Sequence, residues 1–248
     1  MTPEFREQPV EKLGRGLQIL LAVLGVLGAI NDIWLWSQLR SGSFVLHLPP
    51  QGSVGERAYL TGSQLSSIGI IVQPVSLATI VVWLIWQHHA TSNLWARGYR
   101  DLRIRPGWAV GWWFIPFANF VMPCVAMVEL DRRSTTDGSP RSTSPLVGVW
   151  WAVYIGGSLI VTIGLLIALW SGMLDLFRGA DRNQTVFDLT SLAHTAAPWL
   201  LAFGIISAVA AGLAIAVVRR ITEAQTAMLG RPSEHSLVPV PMRPDLGV

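Results

Sequence analysis

Five long apolar runs, separated by polar stretches, dominate the sequence. They comprise residues 17–36, 65–86, 108–128, 147–170 and 196–218. Because about 20 apolar residues in a helix cross the hydrocarbon core of a bilayer, each run is long enough to span a membrane. The pattern therefore predicts an all-α integral membrane protein. Residues 1–16 mix acidic and basic side chains with no cleavage site after them, so we expect the first helix to remain in the protein.

Composition supports this assignment. Only 13% of the 248 residues are charged, 51% are hydrophobic and the mean hydropathy is +0.46, whereas an average soluble domain is about 25% charged. These values exclude a soluble enzyme, a disordered chain and a collagen-like repeat. Cys124 is the sole cysteine, which excludes an intramolecular disulfide and a thiolate zinc site.

The distribution of basic residues discriminates between two topologies. If all five runs span, the 18 basic residues divide equally between the two sides of the membrane, nine on each. If run 108–128 instead enters and leaves by the same face, one side holds 14 and the other holds 4. Basic residues concentrate in cytoplasmic loops. We therefore predict four transmembrane helices with both termini in the cytoplasm, and the pI near 9.6 reflects topology rather than a nucleic-acid partner.

The third run carries its own signs of a break. Pro116 and Pro123 each remove a helix donor and clash with the preceding turn, and Asn119 lies between them. The first arm, of ten residues, rises about 15 Å as a helix, roughly half the hydrocarbon thickness. The run is predicted to form a proline-broken helical hairpin, either re-entrant or lying in the membrane interface.

The predicted domain organisation is simple. Residues 1–16 form a cytoplasmic N-terminus, residues 17–229 form a single helical membrane domain, and residues 230–248 form a proline-rich, disordered cytoplasmic tail.

A family resemblance accompanies these features. The stretch 105–134 reads RPGWAVGWWFIPFANFVMPCVAMVELDRRS and resembles the signature of the domain-of-unknown-function family 4328, which are bacterial multi-pass membrane proteins. The similarity extends to the layout, with two helices before the signature, two after it and a basic loop leading in. The resemblance implies a helical membrane fold in the bacterial plasma membrane and carries no activity.

Several polar residues within the runs are candidate site residues. Asp32 is the only ionisable residue inside a predicted span, and it is either functional or hydrated at the headgroup level near the outer end of its helix. A second set either lines a small hydrated cavity or forms interhelical hydrogen bonds; it consists of Gln73, Asn119, Tyr154, Ser158 and Thr162.

Two further groups concern lipid and helix contacts. The arginines of the second loop either contact anionic lipid headgroups or act only as a topology signal; they are Arg97, Arg100, Arg103 and Arg105. Gly204, Ala208 and Gly212 are four residues apart in the last run, a spacing that favours close helix packing, within the chain or in a homodimer.

The function classes follow from this inventory. An enzyme is not expected, because no nucleophile, base or metal cluster converges at one depth. Adjacent His88 and His89 point to different helix faces and do not chelate one metal, so no cofactor is predicted. We expect a structural or regulatory accessory protein that acts through membrane partners. The alternative is a small oligomeric channel or transporter component that uses the hairpin.

Overall fold

A computed structural model describes residues 7–42, 45–47, 59–61, 68–99, 102–135, 144–179 and 186–230. The predicted disorder of the tail falls on residues 231–248, which lie outside the described residues. The helices are α1 (Glu11–Ser41), α2 (Ile68–Ala96), α3 (Pro106–Gly111), α4 (Met122–Thr135), α5 (Leu146–Trp151), α6 (Ser158–Gly179) and α7 (Thr190–Leu229). The strands are β1 (Val45–His47), β2 (Tyr59–Thr61) and β3 (Val186–Asp188).

The helical membrane fold is confirmed. Within the described residues, four helices are long and apolar enough to cross a membrane: α1, α2, the helix that begins with α5, and α7. Each is longer than the apolar run that predicted it. The third run forms no single helix, because its two arms are bent by 112° at a break.

The fourth helix contains an irregular stretch. α5 and α6 are joined by a π-helical segment, Ala152–Gly157, with helical backbone angles at both junctions. A π-turn places more than four residues in one turn. This segment includes Tyr154, whereas Ser158 and Thr162 follow in regular α-helix, and the alignment of the three residues on one face stays a prediction.

The chain divides into two compact units. The first, called here the hairpin unit, takes its described residues from Met1–Arg15, Leu84–Ser144 and Val218–Val248. The second, called the bundle unit, comprises Gly16–Trp83 and Pro145–Val217. α1, α2 and α7 contribute residues to both units.

Glycines set the packing of α6 against α7 in the bundle unit. A Cβ atom at Gly157, Gly164 or Gly172 would collide with a large side chain of α7, respectively that of Ile206, Trp199 or Leu192. The two series run in opposite directions along the chain, as expected for antiparallel helices. Small residues on one helix thus accommodate large ones on the other, which allows the two backbones to approach closely.

A small sheet, not predicted from the sequence, also belongs to the bundle unit. Its order is β2-β1-β3, and both pairings are antiparallel. β1 and β2 lie between α1 and α2, whereas β3 lies between α6 and α7. The loop after the first span and the loop before the last span therefore lie side by side. Strands of three residues are too short for alternating hydrophobicity to reveal them.

Candidate functional site: the bent segment of the hairpin unit

The break between the two arms is a tight turn centred on Phe117. This residue has φ 63° and ψ −41°, and the Ala118 N–H donates a hydrogen bond of 2.8 Å to the Pro116 carbonyl. Such a three-residue turn with positive φ at its centre is rare and strained. A short 3₁₀ turn lies on each side of it, Trp112–Phe114 before and Ala118–Phe120 after.

The amide groups of the turn are paired within the turn itself. Besides Ala118, each of the next three residues donates its N–H to a nearby carbonyl at 3.0–3.2 Å. The pairs are Asn119 to Ile115, Phe120 to Phe117 and Val121 to Ala118. Pro116 has no N–H to satisfy. The turn is irregular, yet few of its backbone donors need water.

Large apolar side chains surround the turn and are exposed. The exposed fraction is 84% for Phe117, 70% for Phe114 and 58% for Val121. Soluble proteins seldom expose several large apolar residues in one place unless they bind a partner or a membrane. We call residues 114–121 the apolar tip.

Below the apolar tip the arms pack against one another. Ile104, Ala109 and Ala126 form a buried cluster, with Trp112 and Val125 packed against it. The small residues on facing helices bring the arms close, and the Trp108 and Trp112 rings lie 4.9 Å apart along the first arm.

A polar contact ties each arm to a long helix. On the first arm, the Trp113 indole N–H donates to Gln87 Oε1 of α2 at 2.8 Å. On the second, the buried Asp131 accepts from Arg220 Nε of α7 at 2.8 Å. Each arm is thereby bonded to a different long helix, which fixes the bend from outside the turn.

A network of buried side-chain amides joins four segments of the hairpin unit. Asn93 of α2 exchanges two hydrogen bonds with the backbone of Gln8, accepting from its N–H at 2.7 Å and donating to its carbonyl at 2.9 Å. Asn93 also donates to Gln225 Oε1 of α7 at 3.2 Å. Gln225 donates in turn to the Ala90 carbonyl at 2.8 Å and to Ser134 of α4 at 3.1 Å.

Asn93 and Gln225 are fully buried and were missed by the sequence analysis. Their donors and acceptors are used within the chain, so they act as structural cross-links. A signal for Gln225 does exist. The buried positions Val218, Ile221, Thr222 and Gln225 continue a helical spacing beyond the apolar run.

The structure separates the four predicted arginines. The Arg97 side chain is only 10% exposed and bonds to Glu7 through Nε at 2.8 Å. Arg103 and Arg105 are exposed, just before α3, and the Arg103 backbone N–H donates to Glu129 Oε1 at 3.0 Å. Arg100 lies outside the described residues.

The residues predicted to form the hairpin lie at or near the break between the two arms. Pro116 is in the turn, and Pro123 is the second residue of α4, a position that tolerates proline because the N–H there has no helical partner. Asn119 is half-buried, and among the described residues its side-chain oxygen is inaccessible and has no hydrogen-bond partner. Asn119 therefore forms no side-chain bond through this oxygen to another described segment.

Asp32 faces α7 in the bundle unit. A Cβ atom at Gly204 would lie 2.9 Å from the carboxylate oxygen Oδ2 of Asp32, and Asn31 donates to Oδ1 at 3.2 Å. Gly204 thus leaves space for an acidic side chain between the two helices. Ala208 is half-buried, whereas Gly212 is exposed with open space around it, so the small residues of α7 do not share one contact.

The remaining polar candidates differ in exposure. Gln73, Tyr154 and Thr162 are exposed and Ser158 is half-buried. Tyr154 stacks on Trp150 with ring centroids 6.0 Å apart. The side chains of Gln73 and Thr162 lie on the surface of the described part of the bundle unit, and both the hydrated cavity and the interhelical hydrogen bonds stay predictions for them.

Comparison with known proteins agrees with the resemblance noted from residues 105–134. No curated protein and no solved structure matches the chain. The sequence profile of the family described as Domain of unknown function (DUF4328) matches residues 57–223, about two thirds of the chain. This range includes the bent segment and three of the four long apolar helices, and the chain therefore belongs to the DUF4328 family.

Proposed function

We propose that the protein is a non-catalytic accessory protein that acts by associating with another membrane protein. The observation that carries the proposal is the exposed face of α2. Gln73, Leu77 and Ile80 are spaced as neighbours on one helical face, and all three are exposed. A glutamine amid apolar residues on the outer face of a spanning-length helix favours contact with a further helix rather than with lipid.

The physical reason is the cost of a side-chain amide in hydrocarbon. An amide that loses water without gaining a hydrogen bond costs several kcal/mol, roughly 2–7. A partner helix that offers a polar group removes this cost. Pro74 adds a second polar group nearby, because its missing N–H leaves the Ile70 carbonyl without the donor of a regular helix, and Ile70 is also exposed.

The proposed setting is the bacterial plasma membrane, with both termini in the cytoplasm and the bent segment entering from that side. Hydrogen bonds between the N-terminal segment, α2, α4 and α7 support placing these segments on one side. The pairing of β1 with β3 supports placing the two remaining loops together on one side. The excess of basic residues assigns the hairpin-unit side to the cytoplasm.

The second candidate is a channel or transporter component. The 112° bend and the unpartnered oxygen of Asn119 favour it, because broken helices with free polar ends often build solute sites. The fully used amides of Asn93 and Gln225 favour the accessory role instead, since a solute site needs polar groups that are not already paired.

The experiment is purification of the full chain from its native membrane in mild detergent, followed by mass measurement of the intact complex. The accessory proposal expects one stoichiometric membrane protein of a different sequence. A closed ring of identical copies contradicts it and favours the channel.

Gln73→Leu tests whether the α2 face makes the contact. The expected result is loss of the partner with unchanged thermal stability of the chain itself. Thr162→Val is the matched control, because Thr162 is also exposed, on α6. A threonine hydroxyl can bond to a carbonyl of its own helix, so it needs no partner helix. Retention of the partner by Gln73→Leu contradicts the assignment of this face.

A further inference from the structure

We propose that the apolar tip, residues 114–121, inserts into the cytoplasmic leaflet while Arg103 and Arg105 bind anionic lipid headgroups. The ligand is a membrane surface that carries phosphate groups. The inference rests on the proposed topology and adds to it a lipid-binding site, with its residues and depth.

The order of side chains along the first arm matches the polarity profile of a leaflet. The exposed Arg103 and Arg105 come first, the half-exposed Trp108 follows, in ring contact with Trp112, and the exposed Phe114 leads into the tip. Arginine suits the phosphate level, tryptophan the interface and phenylalanine the acyl chains. A protein pocket for the tip would explain the phenylalanines but not this graded order.

The backbone of the tip suits an apolar medium. Irregular backbone is costly in hydrocarbon because unpaired amides lose their water. Here the four N–H groups from Ala118 to Val121 already donate within the tip, and Pro116 has none. Insertion therefore removes few backbone donors from water.

The strained turn presents an aromatic ring at the outermost point. A positive φ strains the backbone of a non-glycine residue, whereas glycine adopts it freely. Phe117 nevertheless occupies this position, and its ring is 84% exposed. The ring gains little from the rest of the described protein, and burial in acyl chains offsets the strain.

Among the three described arginines of this loop, charge selects Arg103 and Arg105. Arg97 is paired with Glu7 and mostly buried, so it is already neutralised. Arg103 and Arg105 are exposed. Among the described residues, a nearby acidic group is Glu129, whose Oε1 is bonded to the Arg103 backbone N–H. That bond fixes the start of the arm while both guanidinium groups stay free to meet phosphates.

The depth of the tip is tested with a fluorescent probe. Cys124→Ser removes the one native thiol, and Phe117→Cys then carries an environment-sensitive dye in the full chain, reconstituted in phosphatidylcholine–phosphatidylglycerol nanodiscs. The expected result is a blue-shifted emission that is quenched by spin-labelled lipid and protected from aqueous iodide. Phe114→Cys, also exposed, provides a second probe site if the first variant fails to fold.

Thr135→Cys is the matched control, because Thr135 is exposed at the far end of α4 and should be quenched by iodide instead. Iodide quenching at Phe117 or Phe114 with no effect of spin-labelled lipid overturns the proposed insertion. Because this readout does not depend on a partner, it can fail while the accessory role stands, and the reverse also holds.

The headgroup contact is tested by varying the phosphatidylglycerol fraction. The double change Arg103→Gln and Arg105→Gln is expected to reduce the preference for anionic over neutral lipid about ten-fold or more. Arg132→Gln, an exposed arginine at the other end of α4, should retain most of the preference, and free inorganic phosphate should not replace the lipid. An unchanged preference in the double variant overturns the arginine assignment.

Discussion

At the scale of single residues, close helix packing depends on glycines, which have no side chain, as much as on the large side chains that face them. A Cβ atom at Gly164 would overlap the Trp199 ring. Gly164→Ala is therefore expected to lower the free energy of unfolding by about 1–3 kcal/mol, because the ring must move or the helices separate. Thermal unfolding in detergent measures the effect.

The control for this substitution is another helical glycine. Gly148→Ala meets nothing within 4 Å, so the better helix propensity of alanine should leave stability unchanged or raise it by up to about 1 kcal/mol. Equal destabilisation by both substitutions would contradict the packing of Gly164 against Trp199.

Two side-chain amides should respond to substitution to different extents. Gln225→Ala removes the partner of Asn93 and of Ser134, and the expected loss is on the order of 3 kcal/mol, since buried polar groups are left unpaired. Asn119→Ala removes a side-chain oxygen that has no partner in the described structure, so stability should change little. Chemical or thermal unfolding of both variants, in the same detergent, makes the comparison.

A large loss in Asn119→Ala would show that this side chain caps or bonds a segment after all. The contrast also defines what the sequence can reveal at this scale. The sequence indicates Asn119 as a candidate because it is a polar residue in an apolar run between two prolines. Gln225 lies near charged residues, where one more polar residue gives no signal. Hydropathy marks polar residues within apolar runs and overlooks buried ones beyond them.

At the scale of elements, the bent segment is held by its turn and by one polar contact on each arm. With Pro116→Ala and Pro123→Ala together, the donors needed for a continuous helix are restored. A straight helix from residue 108 to 128 is incompatible with both anchors, the Trp113–Gln87 bond and the Asp131–Arg220 pair. We expect lower yield or mixed topology, measured by expression level and by labelling of a cysteine at Thr135.

Normal yield with unchanged labelling would mean that the anchors alone set the bend. Pro116→Ala by itself should have the larger effect of the two single changes. Pro116 lies in the break, whereas Pro123 lies in the first turn of α4, where proline is compatible with a helix.

Element boundaries were the least predictable part of the fold. Apolar runs located all four long helices because lipid-facing residues must be hydrophobic over about 20 positions. They could not reveal that α2 continues to Ala96 and α7 to Leu229. Beyond its apolar run α2 buries polar residues such as Thr91, Ser92 and Asn93, and α7 buries only one face. The π segment at Ala152–Gly157 also leaves no hydropathy signal.

At the scale of the whole molecule, the pattern of contacts within each unit constrains topology more tightly than charge counting alone. In an arrangement with five spans, the loop holding β1 and the loop holding β3 would lie on opposite sides of the membrane. Their pairing in one sheet is incompatible with that arrangement. Asn93 and Gln225 lead to the same conclusion. They are hydrogen-bonded in the hairpin unit, yet with five spans an odd number of membrane crossings would separate them and place them on opposite sides.

The four-span topology predicts the accessibility of single cysteines on the Cys124→Ser background. In intact cells, a cysteine at Ser53 should react with a membrane-impermeant thiol reagent, because loop 42–67 is placed outside. A cysteine at Thr135 should react only after the membrane is permeabilised. Thr135 is exposed, whereas the neighbouring Ser134 is buried and bonded to Gln225, so protection at Thr135 reports the membrane and not the protein interior. Strong labelling of Thr135 in intact cells, with Ser53 also labelled, would restore five spans and remove the cytoplasmic site proposed for the apolar tip.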